Sequence, residues 1–174
     1  GVPMFKIASA DITHVPFLKH LARKNKPIIV STGAATIGEI EEAVKAIESE
    51  GNNKIIILHC ILSYPTPIKD MHLRMITTLK TIFPQYPIGL SDHSLGTIVP
   101  VAAVALGAKV IEKHYTIDKT IKGSSDHPIS ADPKEMREIV TNIRHVEYAL
   151  GHPLPRRPTK VEEPAAKFAR RSIV

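Results

Sequence analysis

Pro87-Ile88-Gly89-Leu90-Ser91-Asp92-His93 and, one unit further on, Ala108-Lys109-Val110-Ile111-Glu112-Lys113-His114-Tyr115 are built alike: a short apolar run that closes on a polar cluster with a histidine. Runs of this kind read as buried strands, and in parallel α/β proteins the carboxyl ends of strands are where side chains converge on one crevice. Side chains alternate across a strand with a period of two. Ser91 and His93 therefore share a face, as do Glu112 and His114, while Lys113 lies on the other. Two strand-end histidines predict a divalent-metal site, with the Glu112 carboxylate close to the His114 imidazole.

The same rhythm, an apolar stretch and then a longer amphipathic one, extends outward from these segments through the whole chain. Strands are predicted at Met4 to Ala8, Pro27 to Ser31, Lys54 to His59, Pro87 to Ser91 and Lys109 to Lys113. The helices between and after them are predicted at Val15 to Lys24, Ile37 to Glu50, Leu73 to Phe83, Ile98 to Leu106 and Pro133 to Leu150. Thr36 with Glu39, and Asp132 before Pro133, are helix-start signals, and Gly51, Gly107 and Gly151 are stops. From His152 the chain turns rich in proline and charge, so residues 1–151 are read as the domain and 152–174 as an extended linker.

Repeated βα units imply parallel strands. No GxGxxG follows the first strand, and polar residues end all the strands rather than gathering at one switch point. The expected class is thus α/β, a partial (β/α)8 barrel of about five βα units that lacks its beginning, because a complete barrel needs about 200–250 residues. The chain starts on Gly1, almost inside a strand, and reads as an excised piece.

With 174 residues, 43% hydrophobic and 23% charged, the composition excludes disordered and collagen-like classes. The net charge of +6 comes from scattered cations, Arg156-Arg157 with Lys160 being the one cluster near an end. Four Phe, four Tyr and no Trp argue against a base-stacking surface, so the charge is read as suiting a small anionic substrate and not nucleic acid. Cys60 is the only cysteine, which precludes an intrachain disulfide and fits a reducing, cytoplasmic setting. No apolar run is long enough to span a bilayer, and no charged-then-apolar leader opens the chain.

Other residues carry two readings each. Lys6, inside Phe5-Lys6-Ile7, either snorkels from a strand end or meets a phosphate at a barrel mouth. Ser31-Thr32-Gly33 is either an oxyanion cradle or an ordinary strand-to-helix turn. Tyr64 either packs or reaches a sugar hydroxyl. Asp126-His127 lies in a polar loop whose composition predicts only exposure. His59 is read as a hydrogen-bonded core histidine, and His14, His20, His72, His145 and His152 as surface residues.

Taken together, Lys6-Ile7-Ala8-Ser9, Lys26 to Gly33, Leu58-His59-Cys60 with Tyr64-Pro65, Gly89 to His93, Ala105 to Ala108, Glu112 to Thr116 and Arg170 to Ile173 closely resemble the sialic acid synthase family, which includes N-acetylneuraminate, legionaminate and pseudaminate synthases. The resemblance implies a TIM barrel that condenses phosphoenolpyruvate with an N-acylated hexosamine to a nine-carbon 2-keto sugar acid, releasing phosphate. It implies His93 and His114 as ligands of a divalent metal, manganese in the first place, with magnesium, cobalt or zinc as alternatives. It further implies Lys6, Ser31 and Ser91 as phosphoenolpyruvate contacts, Tyr64 and Asp126 as sugar contacts, and Asp11 and Glu112 as the carboxylates that act in catalysis. Full-length members form dimers.

The chain departs from the family at Asp11, where glutamate is usual, at Leu62, where a polar residue is usual, and in the loop Lys122 to His127. The early barrel strands and the C-terminal antifreeze-like domain are absent, so the piece alone is expected to be inactive. The rival readings are an octulosonate-phosphate type of synthase and a non-catalytic fragment that binds a ligand or partner.

Overall fold

The computed structural model describes residues 1–151 and 157–169. Five short strands, β1 (Phe5–Ile7), β2 (Ile28–Ser31), β3 (Ile55–Cys60), β4 (Ile88–Asp92) and β5 (Ile111–Lys113), form one parallel sheet in the order β1-β2-β3-β4-β5. Helices α1 (Val15–Ala22), α2 (Ile37–Glu48), α3 (Met75–Ile82), α4 (Ile98–Ala105) and α5 (Pro133–Leu150) follow them in turn. Strands pair only with their neighbours in sequence, and the order never reverses. The sheet therefore winds in one direction like a barrel wall, and the expected α/β class with five βα units is what forms.

Alternation along each strand decides which side chains face the site. Ile7, Ile28, Val30, Ile55, Ile57, Ile88 and Leu90 are buried in one core with Leu18, Ile40, Ile47, Ile76, Leu79 and Val99 of the helices. With one face committed to that core, the intervening Lys6, Ser31, Cys60, Ser91 and Glu112 fall on the other, concave face. The register pairs Cys60 with Ser91 and Ser91 with Glu112, so these three form a row across β3, β4 and β5.

Local signals hold where the backbone needs them. Thr36 and Glu39 form a reciprocal capping box on α2, and Asp132 with Glu135 does the same on α5. Gly51 and Gly107 end their helices with φ of 78° and 100°, a region costly for other residues. Gly89 is required for a different reason: a Cβ there would collide with the Val110 carbonyl and lie 2.6 Å from Leu58 Cδ2. Gly89→Ala is expected to cost about 1–3 kcal/mol, the usual range for overpacking, read as a lower urea midpoint at unchanged slope.

Two expectations are corrected. β1 and β5 shrink to three residues each, because each outer strand has a ladder partner on one side only. Within the segment expected to be an extended linker, α6 (Glu163–Ala169) is a short exposed helix. Its signal was present in the chain: the Thr159 amide and hydroxyl both donate to Glu162, the same spacing as at Thr36 and Glu39. Residues 152–156 and 170–174, which include Arg156 and the Arg170 to Ile173 motif, lie outside the described residues. Among the described residues, no helix is long and apolar enough to cross a membrane.

Candidate functional site

The carboxyl ends of the strands bring most of the expected residues together. His93, just past β4, and His114, just past β5, have ring centroids 5.3 Å apart, and Tyr64 lies over His93 at 4.1 Å. Ser91, His93, Glu112 and His114 line a cavity of about 210 Å³. Glu112 Oε1 accepts a hydrogen bond from Ser91 Oγ at 2.7 Å and lies 3.4 Å from Lys6 Nζ. That carboxylate thus joins the strand after His93 to the first strand of the sheet.

A second carboxylate, one not paired with it from the sequence, lies beside His114. Asp126 Oδ2 sits 3.8 Å from His114 Nδ1, whereas Glu112 turns to the ammonium of Lys6 and the hydroxyl of Ser91. Period two placed Glu112 and His114 on the same face but says nothing about which partner a flexible carboxylate selects, and a cation is the stronger one. The backbone carbonyl of Asp126 accepts from the amides of Ile129 and Ser130 and from Ser130 Oγ, which fixes the loop that carries it.

Ser31 Oγ is buried on the concave face and has no hydrogen-bond partner among the described residues. A buried hydroxyl left unpaired costs about 1–3 kcal/mol, which a ligand oxygen would remove. Asp11 stands apart from this group. It is the exposed last residue of the 3-10 turn Ser9–Asp11, whose Ser9 is buried, and among the described residues its side chain makes no hydrogen bond or ion pair.

Two contributors, Ser9 and Ile61, were given no role from the sequence. Ser9 Oγ accepts from the Gly33 amide at 2.9 Å and donates to Cys60 Sγ at 3.5 Å, tying the ends of β1, β2 and β3 together. Gly33 permits this closeness, since a Cβ there would lie 2.8 Å from Ser9 Oγ and 3.2 Å from Cys60 Sγ. The inward phase of Leu58 and Cys60 was legible by alternation; the turn that returns Ser9 was not. Ile61 contributes only its carbonyl, which accepts from His93 Nδ1 at 2.9 Å.

That last contact assigns the tautomer of His93. A carbonyl only accepts, so Nδ1 carries the proton and Nε2 keeps its lone pair, the arrangement typical of metal-ligating histidines. Two imidazoles this close suit a first-row divalent ion with open positions for water or substrate. Among the described residues, no group of three or more His, Cys, Asp or Glu side chains is placed to hold a metal, so the fit is to a two-histidine, open site.

The electrostatics are mixed. Burial pulls the His93 imidazole down, but hydrogen bonds to Cys60 and the Ile61 carbonyl and the charges of Cys60 and Asp92 outweigh it, leaving its pKa raised. Burial likewise pushes the Cys60 thiol up, and the hydrogen bonds to His93, Ser9 and Ser91 more than offset this, so its pKa is lowered. Tyr64 is raised by burial first and then by the negative charges around it.

His59 is on the outer face of β3, where its Nε2 meets the Met71 carbonyl at 2.7 Å, in line with its reading as a core histidine. Burial lowers its pKa. The unfolded imidazole protonates near pH ~6.5, where the folded one remains neutral, so His59 contributes stability that is lost as pH falls below that value. Comparing urea midpoints at pH 7.5 and 5.5 checks this: the loss on acidification is expected to be smaller in His59→Gln than in the parent.

The NeuB family profile matches residues 1–154, and the chain belongs to that family. It is 54% identical over 178 residues to "Uncharacterized protein MJ1065" of Methanocaldococcus jannaschii, covering 100% of this chain and 51% of that protein. It is 42% identical over 176 residues to an N,N'-diacetyllegionaminic acid synthase of Campylobacter jejuni, covering 100% of this chain and 52% of the other. A crystal structure of an N-acetylneuraminic acid synthetase from Leptospira borgpetersenii, in complex with citrate, superposes with a TM-score of 0.88 at 41% identity, over 97% of this chain and 57% of that one. The chain spans about half the length of the curated relatives it matches.

Proposed function

We propose that this chain is the half of a sialic-acid-type synthase barrel that binds phosphoenolpyruvate and a divalent metal, acting in the cytoplasm and within a homo-oligomer. The full reaction joins phosphoenolpyruvate to an N-acylated hexosamine, giving a nine-carbon 2-keto sugar acid and phosphate. The observation that carries this reading is the buried, unpartnered Ser31 hydroxyl on the same concave face as Lys6, Ser91 and the two histidines.

In this reading Lys6 supplies a point charge to the phosphoenolpyruvate anion, while Ser31 and Ser91 supply hydroxyl donors. Tyr64 and Asp126 face the sugar. His93 and His114 would hold the metal, manganese by preference with magnesium, cobalt or zinc as substitutes, and the metal when bound would polarise the sugar aldehyde as a Lewis acid. Attack by C3 of phosphoenolpyruvate on that aldehyde leaves positive charge at C2. Glu112, already between Ser91 and Lys6, stabilises that charge or takes a proton from the water that adds there; phosphate then leaves by C–O cleavage. Asp11, exposed on the turn that carries the buried Ser9, would be the second carboxylate.

Calorimetric titration of the chain with phosphoenolpyruvate in the presence of manganese tests the assignment. Binding is expected, and Lys6→Met should weaken it at least tenfold while leaving N-acetylmannosamine binding within twofold. Equal losses for both ligands would remove Lys6 from the phosphate subsite, and no phosphoenolpyruvate binding by the parent would overturn the reading. Phosphate release with N-acetylmannosamine is expected to be undetectable for the chain alone; turnover at an ordinary enzymatic rate of about 1 per second or more would show that this half suffices.

A further inference from the structure

Directly behind the two histidines lies an ion pair that the proposed chemistry does not use. Asp92 and Lys113 are partners in the β4–β5 register, each one residue before a histidine; both border the site cavity, and by strand alternation their side chains take the face opposite Ser91 and Glu112. Lys113 Nζ lies 2.7 Å from Asp92 Oδ2, with side-chain exposures of 3% and 0%. The same ammonium donates to the Ser94 carbonyl at 2.6 Å, and Asp92 Oδ1 accepts from the Ser94 amide at 2.8 Å.

These bonds close a ring around one residue. Asp92 and Ser94 flank His93, and both are held by the cation of the neighbouring strand, whose next residue is His114. The His93 carbonyl is engaged as well, accepting from the Thr66 amide at 3.0 Å. A buried ion pair is an inefficient way to stabilise a fold, because desolvating both charges cancels most of their attraction, and an apolar pair of similar volume often does as well or better. What such a pair does well is fix geometry.

We propose that Asp92 and Lys113 are positioning residues: their buried ion pair, closed through Ser94, sets the backbone of His93 against that of His114 and so holds the two imidazoles at their mutual distance. Its consequence for metal binding rests on the reading given under Proposed function; its consequence for ring position does not. Removal of groups that orient a metal ligand typically costs 10–100-fold in metal affinity.

The test is the double variant Asp92→Leu/Lys113→Met, which leaves no unpaired buried charge. It is compared with the parent by thermal unfolding, by cobalt(II) titration followed in the visible spectrum, and by the rate of carbethoxylation at each histidine read by mass spectrometry. The expected result is a melting temperature within a few degrees of the parent, cobalt affinity 10–100-fold weaker, and carbethoxylation of the buried His93 at least tenfold faster. Unchanged cobalt affinity and unchanged histidine reactivity would overturn the proposal. If the parent itself fails to bind cobalt, or binds it equally well as His93→Ala, the metal reading falls, and the carbethoxylation rates alone decide the positioning role. Should the double variant unfold, Asp92→Asn, which keeps the Oδ1 acceptor for Ser94 and weakens the bond to the ammonium, makes the same comparison.

Discussion

Replacing His93 or His114 with alanine is expected to abolish specific binding of manganese or cobalt to this chain, a loss of at least a hundredfold. The candidate site offers two imidazoles, so removing one leaves a single protein donor, and one imidazole does not hold a divalent ion against water. The two variants should also differ from one another. His93 packs beneath Tyr64 and bonds the Ile61 carbonyl, so its loss should also disturb the β3–α3 loop, whereas His114 is more exposed and its loss should be confined to the site. Metal titration alongside thermal unfolding checks both statements; full metal affinity in the two variants would exclude the histidine pair as the centre.

Lys113→Met alone is expected to destabilise the fold by about 3–5 kcal/mol, the usual result of removing one partner of a buried pair. The methionine fills the space, but Asp92 is left without its cation at 0% exposure, with only the Ser94 amide to answer it. Adding Asp92→Leu should restore most of the stability. Urea unfolding of the single and double variants measures the difference, and a Lys113→Met chain as stable as the parent would mean that water or backbone donors already satisfy the carboxylate.

How far these features could be read from the chain depended on which physical rule carried them. Alternation with a period of two is imposed by strand geometry, so the placing of Ser91 and His93 on one face and of Lys113 on the other needed no tertiary information. The choice of a barrel wall rested on the missing GxGxxG and on polar residues that end all the strands rather than gather at one switch point, and the consecutive strand order agrees with it. Partnering was not legible in the same way. Glu112 selected Lys6, which lies far away in sequence, and Asp126 reached His114 from a loop with no periodicity at all. Lys113 was seen only as the residue facing away, because nothing in Glu112-Lys113-His114 reveals that its ammonium would find Asp92 at the end of β4 and Ser94 just beyond it. Ser9 was quoted within a motif but given no role, since its usefulness comes from a 3-10 turn that folds it back over Gly33.

The strand order also sorts the site by mechanical security. Lys6 sits on β1 and Glu112 on β5, with His114 just beyond it, and each of those strands is laddered on one side only, whereas Ser31, Cys60 and Ser91 belong to strands held on both. Local openings start where backbone hydrogen bonds are fewest, so the two outer strands should fray at lower free energy than β2, β3 and β4. The charged bridge from Lys6 to Glu112 spans the two frayable ends. Warming or mild denaturant should accordingly part the Lys6 ammonium from the His114 imidazole while Ser31 and Ser91 stay in place, so that the cluster comes apart from its margins inward, well before the described domain as a whole gives way.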